Sequence, residues 1–496
     1  MSRKRARTQG REFGAPTEDD SPSAALTDSN SSALSTRSPR YTSVPPLTNL
    51  CSRIFADNFV RLRNKERLWN HVSEHLKALP DSLLPRLLAD LIRVCPTFLK
   101  HEFLVTYFFR GPSLAFTGGS AGMPGVQTHT IRALDRMQDL RDLELSGFDK
   151  VPDAAFASVL SRLPGLKRLV LRGCTLVGPK AAAALKSCPK LQVLNLNYTA
   201  VTPISLQPVL LASGPSLEVL KLAGIPNWTD TTVGKMLSPD LSLPNLRTLK
   251  LTRLSISETS LHPLLAISPA LRRLDIGFTT VRHPLSASDD AQPIPALEKL
   301  SLTSTHTSNA DLLALLPHLP GLKTLALGAL GASPRSIAAI DSSMTLTDTV
   351  LLKVIPVLQS CTALQSVSLV GNIKLKDSLS FFVTEVGRRC KYLNLSGLPA
   401  MRSWHLAGLP GDQPPRLETL MLNHTNIDDE AAPFLAACPD LAWLEVAETK
   451  MTSDGLFLVL DGCPKISTLG LRSCRGVRVG DRRRFFEAWE EDRAGT

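Results

Sequence analysis

The stretch LKRLVLRGCTL at residues 166–176 is the clearest copy of a pattern that recurs through most of this chain. Its apolar residues occupy the first, fourth, sixth, ninth and eleventh places, as Leu166, Leu169, Leu171, Cys174 and Leu176. About thirteen copies of the pattern follow one another, most of them 24 to 27 residues apart. They begin at Leu140, Leu166, Leu191, Leu217, Leu246, Leu271, Leu297, Leu322, Leu364, Cys390, Leu417, Leu441 and Ile466. A fixed period of this length predicts stacked structural repeats.

Each copy combines two kinds of apolar periodicity. Its L-x-L part alternates with period two, which predicts a short strand with one buried face, whereas the remainder, such as GPKAAAALKSC, is typical of a helix. One such unit cannot bury its own apolar side, so the copies must stack. Ten copies also carry a proline two residues before the first apolar position, where it ends the helix and starts the next strand. These are Pro164, Pro189, Pro215, Pro244, Pro269, Pro295, Pro320, Pro415, Pro439 and Pro464.

The pattern L-x-x-L-x-L-x-x-N/C-x-L is identified as that of the leucine-rich repeat, and the resemblance covers residues 140–478. It implies an α/β fold: a solenoid of about thirteen repeats, with a curved parallel sheet on the concave face and helices on the convex face. Two copies are irregular. The step from Leu322 to Leu364 is 42 residues, which predicts an insertion within residues 331–347, either a functional loop or a tolerated one. Residues 282–295 are rich in Pro, Ser and Asp and predict an irregular convex side.

The rest of the chain divides by composition. Residues 1–44 are rich in Ser, Thr, Pro and Gly and predict a disordered tail, which opens with a basic cluster at residues 3–7. Residues 45–110 have helical periodicity and predict a module of four helices. Residues 111–139 predict a Gly-rich connector and first cap, and residues 479–496 predict a polar cap at the C-terminal end.

Composition argues against catalysis and metal binding. The nine cysteines are never closer than 11 residues, so no zinc-type or redox CxxC pair exists. The ten histidines form no metal-binding motif, and the G-x-S-x-G match at residues 118–122 lies in the connector rather than between a strand and a helix. We therefore predict a non-enzymatic protein with no catalytic residues, metal or cofactor.

The charge pattern bears on partners and location. A net charge of +11 arises from 56 basic and 45 acidic residues, a mixed surface that does not favour a nucleic-acid partner. No uncharged apolar run approaches the ~18 residues needed to cross a bilayer. We predict a location in the nucleus and/or the cytoplasm, without a membrane partner.

A second resemblance lies in the first helix of the helical module. PLTNLCSRIF at residues 46–55 resembles the elongin C-binding box, [A/P/S/T]-L-x-x-x-C-x-x-x-[A/I/L/V], with Phe55 in place of the smaller final aliphatic residue. Residues four apart share one face of a helix, which could enter a partner's groove. The residues predicted to bind an adaptor here are Leu47, Leu50, Cys51, Ile54 and Phe55.

The following segment, LPDSLLPRL at residues 79–87, resembles a cullin box. The order of the two boxes and the repeats resembles the Zyg-type substrate receptors of elongin–cullin ubiquitin ligases, and also the repeat-containing subunit of an excision-repair ubiquitin ligase. The longer stretch LPDSLLPRLLADLI at residues 79–92 resembles the start of an F-box, which would bind a Skp1-like adaptor instead. A third interpretation is that the helices only cap the solenoid. The residues added to the predicted adaptor or cullin site are Leu79, Pro80, Leu83 and Leu87.

The concave face is the predicted surface for a protein substrate. Its outward strand positions are Arg168, Arg172, Asn195, Asn197, Lys221, Lys250, Arg273, Lys299, Met421, Trp443, Glu445 and Arg472. Trp and Arg are favoured as binding hot spots. The resemblance implies a non-catalytic substrate receptor of a cullin-type ubiquitin ligase. The alternative is a scaffold or inhibitor of the ribonuclease-inhibitor sort with no ligase attached.

Overall fold

The computed structural model describes residues 34–36, 46–285, 295–331, 344–478 and 480–482. It comprises two compact units, a first unit of residues 41–297 and a second unit from residue 298 onward that includes residues 34–36. Within the predicted tail, Leu34–Thr36 form strand β1, and the rest of the tail lies outside the described residues. Most of the predicted insertion and of the C-terminal cap also lies outside them.

The helical module is the first part of the first unit. Its helices are α1 (Leu47–Arg63), α2 (Glu66–Ala78), α3 (Leu84–Val94) and α4 (His101–Tyr107), with 3₁₀ turns at Asp81–Leu83 and Pro96–Phe98. Pro46 precedes α1, and its fixed φ suits the start of a helix. The four predicted helices are present.

An aromatic cluster forms the centre of the module. Phe59 of α1 is fully buried, and its ring centroid lies 5.8 Å from that of Trp69 and 5.4 Å from that of Phe103. The Arg63 guanidinium lies over the same group, 5.8 Å from the Trp69 centroid, and donates a hydrogen bond to the Phe98 carbonyl. These contacts tie the inner side of α1 to α2 and α4.

Seven parallel strands follow in the first unit, in chain order. They are β2 (Ser113–Phe116), β3 (Asp142–Leu145), β4 (Arg168–Val170), β5 (Val193–Asn195), β6 (Val219–Lys221), β7 (Thr248–Lys250) and β8 (Arg273–Asp275). The helices between them are α5 (Gly119–Gly122), α6 (Thr128–Arg132), α7 (Asp153–Leu160), α8 (Pro179–Ala184), α9 (Pro203–Ser213), α10 (Asp230–Met236) and α11 (Glu258–Ala266), with 3₁₀ turns at Ala133–Arg136 and Leu185–Ser187. Residues 282–285 form no helix, as their composition predicted.

Strand β2 corrects the predicted connector. Leu114 and Phe116 are buried while Ser113 and Ala115 are not, so this segment has the period-two burial of a strand. It pairs in parallel with β3 of the first copy and extends the sheet by one strand before the repeat pattern begins. Its two inward residues have the L-x-L spacing of the repeat, but Gly111 occupies the place of the first apolar residue, which is why the sequence pattern missed it.

The second unit contains seven more parallel strands. These are β9 (Lys299–Ser301), β10 (Thr324–Ala326), β11 (Ser366–Ser368), β12 (Tyr392–Asn394), β13 (Thr419–Met421), β14 (Trp443–Glu445) and β15 (Thr468–Gly470). Strand β1 pairs antiparallel with β15. The helices are α12 (Asn309–Leu315), α13 (Asp348–Ser360), α14 (Ser378–Glu385), α15 (Ala432–Ala436) and α16 (Ser453–Gly462), with 3₁₀ turns at Leu316–His318, Gly387–Arg389, Ser403–Leu406 and Asp429–Ala431.

Every predicted copy places its inward leucines in the core and then turns the chain in the same way. The residue seven places after each copy's first apolar residue, which we call position eight, has a left-handed φ in all thirteen copies. Five are Gly147, Gly173, Gly224, Gly371 and Gly397, and eight are Tyr198, Arg253, Phe278, Ser304, Ala329, His424, Glu448 and Ser473. This shared turn confirms the α/β repeat architecture and the predicted start of each copy.

Candidate functional site

The outward side of α1 presents apolar side chains that the described residues of the first unit leave largely exposed. Leu47 is 74% exposed, Ile54 is 62% exposed, and Cys51 between them is also exposed. Their spacing of four and three residues puts all three on one side of the helix. We call these three residues the α1 face. Large exposed apolar patches on a protein surface mark sites of interaction.

The remaining residues predicted for this site point partly inward. Phe55 is half-buried, with its ring centroid 6.0 Å from that of Phe59, and Leu50 is half-buried too. The Phe55 ring joins the edge of the aromatic cluster and keeps part of its surface exposed, so its contact with an adaptor stays a prediction. Ile54 instead extends the face beyond Cys51.

A polar contact fixes the orientation of α1 against α3. The Ser52 hydroxyl donates to Asp90 Oδ2 over 2.7 Å, and Asp90 is only 6% exposed. Arg86 Nε lies 3.3 Å from the same carboxylate oxygen and compensates its charge. A buried carboxylate needs such partners. These contacts therefore fix how α1, and with it the α1 face, packs against α3.

The second predicted segment, residues 79–87, is less accessible to a partner than the α1 face. Pro80 is exposed and Leu79 and Leu83 are half-buried, but Leu87 is 6% exposed and belongs to the module core. It shares the inner side of α3 with Leu84, Leu88 and Leu91. The prediction that Leu87 is a contact residue is corrected, since its side chain is needed to pack α3 inside the module.

In each unit the outward positions of the strands form a further candidate surface, which we call the strand face of that unit. Positions three, five and seven of each copy point away from the leucine core, and position eight follows them in the turn. In the first unit Arg168, Arg172, Lys221, Lys250 and Arg273 are all partly exposed there, as predicted.

Carboxylates contact Arg168 and Lys250. Arg168 Nη2 lies 3.0 Å from Glu144 Oε2, and Lys250 Nζ lies 3.8 Å from Asp275 Oδ2. Glu144 belongs to the first copy and Asp275 to the sixth, so the two acidic residues lie on either side of copies two to five.

Asn195 and Asn197 do not belong to the accessible surface. Each is only 3% exposed. Asn195 Oδ1 accepts a hydrogen bond from the Asn197 amide over 3.1 Å, and Asn197 Oδ1 accepts one from the Ala223 amide over 2.8 Å. The prediction that they meet a substrate is wrong, because their side chains satisfy backbone groups at the ends of neighbouring strands.

Three residues that the sequence prediction missed adjoin the strand face at position eight. Tyr198 is 39% exposed, Arg253 is exposed and Phe278 is partly exposed. The Arg253 guanidinium carbon lies 5.1 Å from the Phe278 ring centroid, within the range of a cation–π contact. Five other copies have glycine at this position, and that contrast is the sequence signal that could have identified them.

In the second unit, the predicted contact residues Met421, Trp443 and Glu445 interact with side chains of the same sheet. Trp443 Nε1 donates to Glu445 Oε1 over 3.1 Å, and Asn423 Nδ2 donates to the other carboxylate oxygen. The Tyr392 hydroxyl lies 3.1 Å from the sulfur of Met421. Trp443, Glu445 and Met421 are half-buried and so offer only part of their surface to a partner.

The other two predicted positions of the second unit remain accessible. Lys299 is partly exposed on β9, and Arg472 is exposed after β15.

Across the part of the chain that the structure describes, no three His, Cys, Asp or Glu side chains are grouped to hold a metal ion. No described helix has the length and apolar character needed to cross a membrane. Both surfaces are suited to binding another macromolecule.

The strands and helices agree with a solved structure. The crystal structure described as a complex of Rad7 and Elc1 in yeast superposes with a TM-score of 0.50 and 16% identity, over 88% of this chain and 96% of the other. The chain has the leucine-rich-repeat fold. An internalin, InlF of Listeria monocytogenes, matches with a TM-score of 0.37 and 16% identity, over 70% of this chain and 89% of that one.

The sequence comparison gives one short relative. F-box/LRR-repeat protein 23 of Arabidopsis thaliana is 36% identical over 83 residues, which is 15% of this chain and 18% of that protein. The chain therefore spans about a fifth of that relative's length. No family model matches the chain.

Proposed function

We propose that this chain is the non-catalytic substrate-recognition subunit of a cullin-type ubiquitin ligase, acting in the nucleus and/or the cytoplasm. Helix α1 docks an adaptor of the elongin C class, the segment at Leu79 and Pro80 meets the cullin, and the strand face holds a protein substrate. The observation that carries the proposal is the exposure of Leu47, Cys51 and Ile54 on one side of a helix whose other side is buried.

The exposed positions match the part of the box that a partner would contact. The pattern requires an apolar residue and a cysteine four places later, which are Leu47 and Cys51 here. Burial of apolar surface is favourable by about 25 cal/mol for each Å² removed from water. Exposed side chains do not contribute this free energy to folding. A partner groove that covers them supplies this free energy at binding.

The comparisons support the same role. The yeast protein pair crystallised together, Rad7 and Elc1, contains a chain of this fold with a second protein. The Arabidopsis relative is named as an F-box/LRR-repeat protein, in keeping with the F-box-like stretch at residues 79–92. We favour α1 over the F-box-like segment because Leu84, Leu87, Leu88 and Leu91 of that segment are inside the module.

Binding of purified elongin C to the full chain tests the proposal. We expect Leu47→Asp to weaken that binding at least ~30-fold, since it removes one buried anchor worth on the order of 2 kcal/mol. The thermal unfolding midpoint should stay unchanged because Leu47 is 74% exposed. Isothermal titration calorimetry measures the first quantity and circular dichroism the second.

The matched control is Leu176→Asp, which places the same charge at a leucine that is 49% exposed elsewhere in the first unit. It should bind elongin C as the unaltered chain does. Binding of Skp1 in place of elongin C, with no effect of Leu47→Asp, would establish the F-box alternative. Binding of neither adaptor would support the scaffold alternative.

A further inference from the structure

The last copy of the repeat contains two backbone amides without the acceptor that the preceding copies provide. In copies seven to twelve, the amides at positions six and eight donate to the carbonyls of positions five and seven in the next copy, as Glu448 does to Arg472. In copy thirteen these two amides belong to Leu471 and Ser473. Among the described residues, neither amide has an acceptor. A row of unpaired N–H groups at a sheet edge is a template for an added strand.

Strand β1 occupies only the first half of this edge. It pairs antiparallel with β15, and Ser35 lies opposite Leu469. The residues on either side of Leu469 bond to copy twelve, Thr468 through its amide and Gly470 through its carbonyl. Because successive residues of a strand direct their backbone groups to opposite sides, the Leu469 backbone faces β1. No residue of β1 lies opposite Leu471 or beyond it.

Cationic side chains lie around the second half of the edge. Arg472 is exposed directly after β15, and no carboxylate among the described residues pairs with it. Arg475 is exposed as well. Arg482 Nη2 donates to the Leu471 carbonyl over 3.2 Å, whereas its Nε has no acceptor among the described residues. These donors favour an occupant that supplies carbonyl oxygens and a carboxylate.

The edge also distinguishes between places along an added strand. In an antiparallel pair, the residue opposite Gly470 comes two places after the residue opposite Arg472. The Glu445 side chain lies beside Gly470, since a Cβ added to that glycine would be 2.9 Å from Glu445 Cγ. Like charges on neighbouring strands repel each other, so an acidic residue is disfavoured opposite Gly470 and favoured opposite Arg472.

We propose that the edge of β15 accepts an extended, acidic segment of a partner protein, which replaces β1 and pairs antiparallel with residues 468–473. Its carbonyls accept from the Leu471 and Ser473 amides, and its carboxylate contacts Arg472. A strand of this length covers about 20 Å, and its backbone bonds supply affinity while the carboxylate supplies specificity. The inference goes beyond the proposed function and does not depend on it, because a scaffold without a ligase would have the same edge.

Peptides based on the sequence around β1 test the inference. The first probe is SNSSALSTR, the sequence of residues 29–37, and the acidic probe carries Ser32→Glu, two places before the leucine. Both are added to the full chain with Ser35→Pro, which removes the β1 amide that faces Leu469. In fluorescence anisotropy, we expect the acidic probe to bind this variant at least tenfold more tightly than the first probe. Both should bind more weakly to the unaltered chain, in which β1 competes.

Further variants separate the edge from the rest of the surface. Arg472→Glu, added to the Ser35→Pro chain, should abolish the preference for the acidic probe. The matched control is Arg402→Glu, which makes the same charge change at an exposed arginine on the helix side of the second unit and should retain the preference. An acidic probe with proline opposite Leu469 should not bind, since it lacks the backbone donor. Hydrogen exchange in residues 468–474 should slow when the acidic probe binds.

Equal binding of the two probes, or no binding of either, would overturn the inference, and so would an unchanged preference in Arg472→Glu. A concentration-dependent dimer of the unaltered chain that Ser35→Pro abolishes would assign the edge to the β1 of a second copy instead. Circular dichroism verifies that each variant is folded. Elongin C binding to each variant reports separately on the adaptor proposal, because none of these substitutions lies in residues 45–110.

Discussion

Position eight shows how single residues carry the repeat turn. All thirteen copies adopt a left-handed φ there, but only five use glycine, the residue for which this conformation costs least. The two glycines on either side of Tyr198 differ in their surroundings. A Cβ added to Gly173 would lie 3.5 Å from Gly147 Cα, an ordinary contact, whereas one added to Gly224 would lie 2.5 Å from the Tyr198 ring.

We predict that Gly173→Ala lowers the free energy of unfolding by roughly 1 kcal/mol, the cost of the left-handed backbone alone. Gly224→Ala should cost more, because the added methyl group must also displace the Tyr198 ring. Urea unfolding followed by circular dichroism measures both values.

The Tyr198→Ala background supplies the control for this comparison. Gly224→Ala introduced there should cost no more than Gly173→Ala, since the ring that the methyl group meets is absent. An undiminished cost in that background would show that backbone strain, and not the ring, explains the difference between the two glycines.

Acidic side chains of one copy accept hydrogen bonds from backbone amides at the start of the next copy's helix. Asp153 accepts from the amides of Gly178, Lys180 and Ala181, each over 2.9 Å. Asp230 accepts from the Ser257 amide over 2.9 Å and from the Ser260 hydroxyl over 2.6 Å. The first amides of a helix have no partner inside it, so these carboxylates join adjacent copies.

The Asp230 carboxylate should stabilise the fold in a pH-dependent way. Burial by itself would raise the pKa of Asp230, but the hydrogen bonds from Ser257 and Ser260 outweigh it and hold the pKa below its ordinary value of 3.8. A lowered folded-state pKa adds stability that is present above the unfolded value and is lost as pH falls through the folded value. Asp348 of the second unit behaves alike, with hydrogen bonds from Ser378 and the Lys376 amide.

We predict that Asp230→Ala lowers the free energy of unfolding by about 2 kcal/mol at pH 7, because it leaves the amide and hydroxyl donors without their charged acceptor. The difference from the unaltered chain should shrink as the pH falls below about 4, where protonation removes the same charge. Urea titrations at several pH values measure both effects. The exposed Asp240, changed to Ala, is the control and should have little effect at any pH; a pH-independent cost of Asp230→Ala would contradict the role of its charge.

Over the whole molecule, the nine cysteines form two classes. Cys51 is exposed and the other eight are buried. Burial raises the pKa of Cys174, Cys390 and Cys438 to about 12 and that of Cys188 to about 11. The thiolate is the reactive form, so both burial and the raised pKa protect these side chains.

We predict that iodoacetamide at pH 8 alkylates Cys51 at least tenfold faster than any other cysteine in the native chain, as quantified by peptide mass spectrometry. Bound elongin C should slow the reaction at Cys51, because the proposed groove covers the α1 face. Leu47→Asp provides the control: Cys51 should then react at the free rate even when elongin C is added. Unchanged reactivity in the presence of a saturating adaptor would contradict docking on α1.

Several features of the fold follow directly from local patterns. The period of Leu166 and its equivalents predicted the strands, the helices and the start of each copy, because an apolar residue at a fixed spacing must face the core in every stacked unit. The helices of the module followed from their own periodicity. Strand β2 did not, since Leu114 and Phe116 become inward residues only by pairing with β3.

The candidate surfaces depended on packing between elements. The box pattern located Leu47 and Cys51, but it could not distinguish the exposed Ile54 from the half-buried Phe55, because that depends on where Phe59 anchors the helix. Asn195 and Arg168 both occupy outward positions of the same sheet. Only the Asn195 side chain is buried, and its Oδ1 accepts a hydrogen bond from the Asn197 backbone amide. Leu87 faces inward because α3 packs its apolar side inside the helical module.

The order of the amino acids alone therefore determined the repeat architecture, since strand and helix periodicities are local and each copy repeats them. Which side chains remain accessible was decided only by tertiary structure, because exposure depends on what lies across each strand or helix in space. Lys221 and Lys250 are 29 residues apart in the chain and adjacent in the sheet, and no local pattern records that proximity.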